Sequence, residues 1–206
     1  MKITLPESIA DITLAQYQRF DKLNIQLAEE EISIRDYNKR KIDLFSGIPY
    51  HKVDKVSQKD LESVMLQIDT ALNREEEFTN TFKIGEIEFG FIPNLDEITS
   101  GEYFDLNKYG VEVDTLHNLM AILFRPIENK DKVGNYNIQN YNGTKEYANL
   151  MKKTPMHVVN GALVFFCNLS TELQSYIQRS TEQALRKERK QATTLENGDG
   201  IVPSMN

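Results

Sequence analysis

Few side chains in this sequence stand at spacings that could do chemistry. His51, His117 and His157 are the three histidines, and no ligand-type spacing relates them. Asp114 and His117 lie three apart, which puts both on one face of a helix and would suit two metal ligands. Zinc or iron needs at least a third protein ligand, and the pattern supplies none. An Asp–His pair on a helix surface is therefore expected, with no metal site. Cys167, the single cysteine, follows Phe165-Phe166 with no histidine or cation beside it to stabilise a thiolate. It is expected in the core as a small hydrophobe. Glu86 and Glu88 share one face of a strand, where two carboxylates in unlike environments could divide acid and base work. Ile87 and Phe89 mark the opposite face as buried, which leaves the carboxylates in water. No GxxxxGK[ST] loop and no GxGxxG between strand and helix is present to cradle a phosphate. No catalytic residue and no cofactor is expected.

One cluster resists a bland explanation. Glu102 and Asp105 flank the rings of Tyr103 and Phe104 just after Gly101. Acids beside rings at a glycine turn can cap a helix or dock a loop against it. They can equally form a contact patch, since aromatic residues are enriched at protein interfaces. Both readings stay open, docking being the first. Glu102, Tyr103, Phe104 and Asp105 are accordingly the candidate partner-contact residues, together with Arg186 and Lys187 of the basic run Arg186–Lys190. Cations at the end of a helix already complement its dipole, and the formal charge of −7 gives no pull toward nucleic acid or anionic membrane. Neither is expected as a partner.

The elements that must position these residues read as mainly helical. A length of 206 residues suffices for one good core. A lone cysteine excludes an intrachain disulfide and suits a reducing compartment. The opening Met1–Pro6 does not read as a signal peptide. The longest apolar run, Val158–Leu169, is broken by Asn160, Gly161 and Asn168 and falls short of the roughly 20 residues of a membrane span. Lys2–Leu5 suits a short edge strand stopped by Pro6. Thr13 caps a helix with Leu14, Tyr17, Leu23 and Leu27 inside. A second helix covers Ile34–Phe45, with Ile34, Tyr37, Ile42 and Phe45 inside, and Gly47 and Pro49 end it. Ser57 and Asp60 cap a third, striped by Leu61, Val64, Met65, Ile68 and Leu72.

From Phe82 to Phe91 the period changes to that of a hairpin around Gly85-Glu86, expected to pair with the N-terminal strand. Leu95–Ile98 reads as a helical turn and Asp114–Phe124 as a helix ended by Arg125-Pro126. Residues 128–142, with Tyr136 and Tyr141, read as a long surface loop. Lys145–Lys152 is a short helix, and Pro155 begins the longest, buried along Val159, Leu163, Phe166, Leu169 or Leu173, and Ile177. The expected class is α+β, predominantly helical: a bundle with a small antiparallel sheet in one domain over 1–190, then a flexible tail over 191–206.

Leu5-Pro6-Glu7-Ser8 with Asp11–Tyr17, Phe45–Pro49, Phe91–Leu106 and Leu123–Ile127 together resemble uncharacterised proteins of tailed bacteriophages, including crAss-like phages of Bacteroidetes. Some of these are described as tail assembly chaperones. The resemblance spans roughly residues 3–177 and carries no active-site residue. It implies a non-enzymatic morphogenesis protein that binds phage tail or other virion proteins. The same resemblance fits a structural subunit of a connector or tail ring, including a homo-oligomer. It places the protein in the host cytoplasm during assembly, or in the virion. A phage-encoded enzyme is the reading from another class.

Overall fold

Helix starts organise the first half of the chain. In a computed structural model, residues 4–73, 77–93, 98–110 and 112–167 are described. Ser8 caps a 3-10 turn at Ile9–Asp11, and Thr13 caps α1 (Leu14–Ala28) with Gln16 closing a capping box. The first N–H groups of α1 meet backbone elsewhere: Leu14 donates to the Thr154 carbonyl and Ala15 to that of Lys152, each at 2.8 Å. Met156 N–H returns a bond to the Ile12 carbonyl, so the start of α1 is laced to a segment far along the chain.

Ser33 caps α2 (Ile34–Ser46), which ends at Gly47 with φ 68°, a left-handed position that suits glycine. A short α3 (Tyr50–Val53) leads to α4 (Gln58–Asn73), where the Ser57 hydroxyl accepts the Asp60 N–H as expected. Helix α2 packs on both α1 and α4. The expected inner residues Ile42, Phe45, Val64 and Ile68 are buried, whereas Ile34 is 62% exposed because it opens the first turn of α2, outside the packed stripe. Lys41 is also buried; its ammonium pairs with Asp69 of α4 and lies 5.5 Å from the centre of the Phe20 ring.

The hairpin forms as expected from β1 (Thr81–Ile84) and β2 (Ile87–Phe91). Its partner differs. Helix α5 (Ser100–Tyr109) and a 3-10 turn at Val113–Thr115 precede α6 (Leu116–Leu123), and the chain then passes straight into β3 (Phe124–Lys130). Strand β3 pairs antiparallel with β2, and β4 (Tyr136–Ile138) pairs with β3, so the sheet order is β1-β2-β3-β4. Thr4 and Leu5 form no strand, and Met1–Ile3 lie outside the described residues. Arg125-Pro126 thus ends a helix by starting a strand. Proline has no N–H for a helical bond and its ring crowds the preceding turn, which pushes Arg125 to extended backbone, and the Pro126 carbonyl accepts the Gln139 N–H at 2.9 Å. The expected loop over 128–142 is largely the β3–β4 hairpin, turned by Asp131, whose Oδ1 accepts N–H groups of Val133, Gly134 and Asn135.

Rings fill the sheet face. Phe82 stacks on Phe89 at 5.6 Å, and Phe124 meets Phe82 at 5.0 Å and Phe91 at 5.1 Å edge-on. Gly90 lets the Tyr136 ring lie against the strand, since a Cβ there would sit 2.4 Å from Tyr136 Cε2. Helix α6 is buried nearly all round, and α7 (Ala148–Met151) packs on it. A further helix begins at Met156 with Val158, Val159 and Ala162 buried. The fold is α+β, mostly helical with a small antiparallel sheet. The chain divides into two compact units, Met1–Leu163 and Val164–Asn206. Only 164–167 of the second are described; the boundary expected at 190 and the tail lie outside the described residues. Among the described residues, no helix is long and apolar enough to cross a membrane.

Candidate contact site on the capped aromatic helix

Of the two structural readings of this cluster, capping a helix is the one the structure has: residues 100–106 lie in a helix, not in a docked loop. Thr99 caps α5, and Glu102 is its capping-box partner: Oε2 accepts the Thr99 N–H at 2.6 Å and the Thr99 hydroxyl at 2.7 Å. The Glu102 N–H donates back to Thr99 Oγ1 at 3.2 Å. This Thr-x-x-Glu pattern satisfies the first orphan donors of the helix and holds a carboxylate at its positive end.

That carboxylate is 2% exposed, and a buried charge is stable only when paired. Arg125 of β3 supplies the counter-charge, with Nη2 lying 2.7 Å from Glu102 Oε1. The contact is ionic and poorly aligned, leaving Glu102 Oε1 and Arg125 Nε without a hydrogen-bond partner among the described residues. Burial lowers the Arg125 pKa from the usual arginine value, against the raising effect of Glu102. The Arg125 guanidinium also lies 5.8 Å from the centre of the Tyr141 ring, and the Tyr141 hydroxyl donates to Asp105 Oδ2 at 2.5 Å. Burial, then the Asp105 carboxylate, pushes the Tyr141 phenol well above its ordinary value. Two ties therefore pin the inner side of α5: Glu102 to β3 and Asp105 to Tyr141.

The outer side is different. Tyr103 is 53% exposed and Phe104 70% exposed, while Leu106 on the same helix is buried. Of the expected contact residues, Tyr103 and Phe104 face solvent. Asp105 is half-buried on Tyr141, and Glu102 is buried, with Oε2 bonded to the helix start and Oε1 against Arg125, so it faces no partner. Arg186 and Lys187 lie outside the described residues. Arg125, Tyr141 and Thr99 were not foreseen as parts of this site. Only Thr99 carried a local signal, as the first residue of the capping box.

The other expected chemical groups are dispersed. Asp114 pairs with Lys22 at 3.0 Å and not with His117. Both ring nitrogens of His117 meet side-chain amides, Nδ1 with Gln18 at 3.2 Å and Nε2 with Asn118 at 3.3 Å. Burial, then the Lys152 charge, lowers the His117 pKa. Glu88 pairs with Lys130 at 3.0 Å, and Ile87 is 38% exposed beside the turn, contrary to its expected burial. Cys167 is exposed, not core, as are its neighbours Val164 and Phe165. Among the described residues, no three His, Cys, Asp or Glu side chains gather as a metal site. No protein-family model matches the chain, and neither the curated proteins nor the solved structures compared with it include a match.

Proposed function

We propose that this protein works without chemistry of its own, by protein–protein contact in tail or virion assembly of a tailed phage, with Tyr103 and Phe104 as contact residues. The observation that carries the contact reading is two neighbouring rings exposed on a helix pinned from beneath. A ring on a rigid helix loses little freedom when a partner covers it, so more of its burial appears as affinity. Exposed aromatics of this kind supply many interface hot spots. The assembly setting is supported by the resemblance at residues 5–17, 45–49, 91–106 and 123–127 alone.

The test is capture of phage proteins from infected cells by the tagged chain. Replacing Tyr103 and Phe104 together by alanine is expected to weaken capture of tail proteins about tenfold or more, with the melting temperature nearly unchanged. A lowered melting temperature with full capture would mean that the rings stabilise the fold and do not bind. Mass spectrometry of purified virions then separates transient binding from a structural place, because a chaperone is absent from particles and a ring subunit is stoichiometric.

A further inference from the structure

A second surface feature lies on the helical layer, where α1 meets α2. A cleft of about 660 Å³ opens there, within the ~300–1,000 Å³ of ligand-sized clefts. Half-buried Leu23 and Leu44 give it an apolar floor, and Arg19 of α1 and Arg40 of α2 line the same concavity. The neighbouring cations are committed: Lys22 to Asp114, Arg35 and Lys39 to Asp54, and Lys41 to Asp69. Arg19 and Arg40 form no ion pair among the described residues, although Asp43 lines the cleft beside them. The Tyr50 hydroxyl at the rim is already engaged, donating to Asp36.

Arginine recognises carboxylates through a planar fork, and its weakly hydrated guanidinium suits an interface better than an ammonium does. Two arginines without an ion pair among the described residues, beside half-buried Leu23 and Leu44, are locally complementary to a segment that is acidic and apolar at once, although Arg40 also feels the Asp36 carboxylate. We propose that this cleft docks an acidic, apolar peptide segment of a partner protein, its carboxylates on Arg19 and Arg40 and its apolar side chain against Leu23 and Leu44. The site shares no residue with α5 and is independent of the aromatic contact.

The probes are a short peptide of alternating Glu and Leu, its Gln/Leu counterpart, and inorganic phosphate, each titrated into the full chain labelled with 15N. The acidic peptide is expected to shift the amides around Arg19, Leu23, Arg40 and Leu44. It should bind at least about tenfold tighter than the Gln/Leu peptide, since the charge-assisted bonds are lost in the latter. Arg19→Glu with Arg40→Glu should abolish that preference, and Arg19→Gln with Arg40→Gln serves as the milder pair if charge reversal disturbs folding. Equal affinity for the two peptides, shifts confined to other surfaces, or binding retained in both double variants overturns the proposal. So does phosphate that displaces the peptide at equal concentration, which would mark a small-anion site. Phe104→Ala is expected to leave this binding intact, so that failure of the α5 reading and failure of this one are told apart. Loss of peptide binding in Phe104→Ala would refute a separate cleft site.

Discussion

Helix α1 starts at Thr13 with Gln16 closing a capping box, and α5 starts at Thr99 with Glu102 in the same role. The two helices are then fastened by unlike means. The capping box and the inner ties of α1 are made by neutral amides, its ion pair from Lys22 to Asp114 lying on the exposed side. Gln16 Nε2 reaches the Leu44 carbonyl at 3.4 Å, and buried Gln18 donates to the Val113 carbonyl at 2.8 Å while meeting His117 Nδ1. In α5 the box residue is a buried ion and must recruit Arg125 from the sheet. A neutral cap can be buried with hydrogen bonds alone, whereas a charged one dictates what must lie opposite. Hence α5 is held in register with β3, and its rings point outward from a fixed base.

The largest effect should come from breaking the ionic anchor. Arg125→Met is expected to cost about 3–5 kcal/mol, because it leaves the Glu102 carboxylate buried without a counter-charge. Adding Glu102→Gln should restore a good part of that loss, measured by urea unfolding. A cost under about 1 kcal/mol for Arg125→Met would mean that α5 is held by its apolar contacts instead. Next come the caps. Thr99→Ala and Thr13→Ala should each cost about 0.5–2 kcal/mol, with Thr99 the costlier because its lost hydroxyl donates to a carboxylate whereas that of Thr13 donates to a neutral amide. The reverse order would break the contrast between the two helix starts.

The neutral anchor of α1 should show itself through pH. His117 has a lowered pKa in the folded protein, so below about 6.5 the unfolded chain binds more protons. Its contribution to stability is therefore complete above about pH 6.5 and declines as pH falls toward the folded value. Protonation also turns Nδ1 into a donor and removes the acceptor that Gln18 amide would use. His117→Gln is expected to flatten the pH dependence of the melting temperature below neutrality; an unchanged slope would assign it to other groups. The smallest effect belongs to Phe104→Ala, expected within about 0.5 kcal/mol of wild-type stability. A larger loss would place the ring in the core and remove the distinction between the inner and outer sides of α5.

Several elements were legible because their signals are local. The stripe of α4, the Gly47 stop after α2 and the Gly85-Glu86 turn each lie within a few residues of one another. Helix α5 was written as plainly, in Thr99-x-x-Glu102, yet its apolar period is faint. Only Glu102 and Leu106 are buried along it, and one of them is an acid. Tyr103 and Phe104 were legible as an unusual pair, but not as exposed. The cleft carrying Arg19 and Arg40 gave no linear signal, since its walls come from two helices.

By itself the sequence determined the helix starts, the period changes and the types of side chain available, because capping, turn chemistry and periodicity act over a single turn or hairpin. Tertiary structure alone decided that Arg125 lies against Glu102, and that Phe124–Lys130 joins β2 in place of the N-terminal segment. It also decided that Gln18 meets His117, and that Phe104 faces water. The physical reason is common to all four. Whether a charge is buried, a strand paired or a ring covered depends on which distant surface packs against it, and no local pattern specifies that surface.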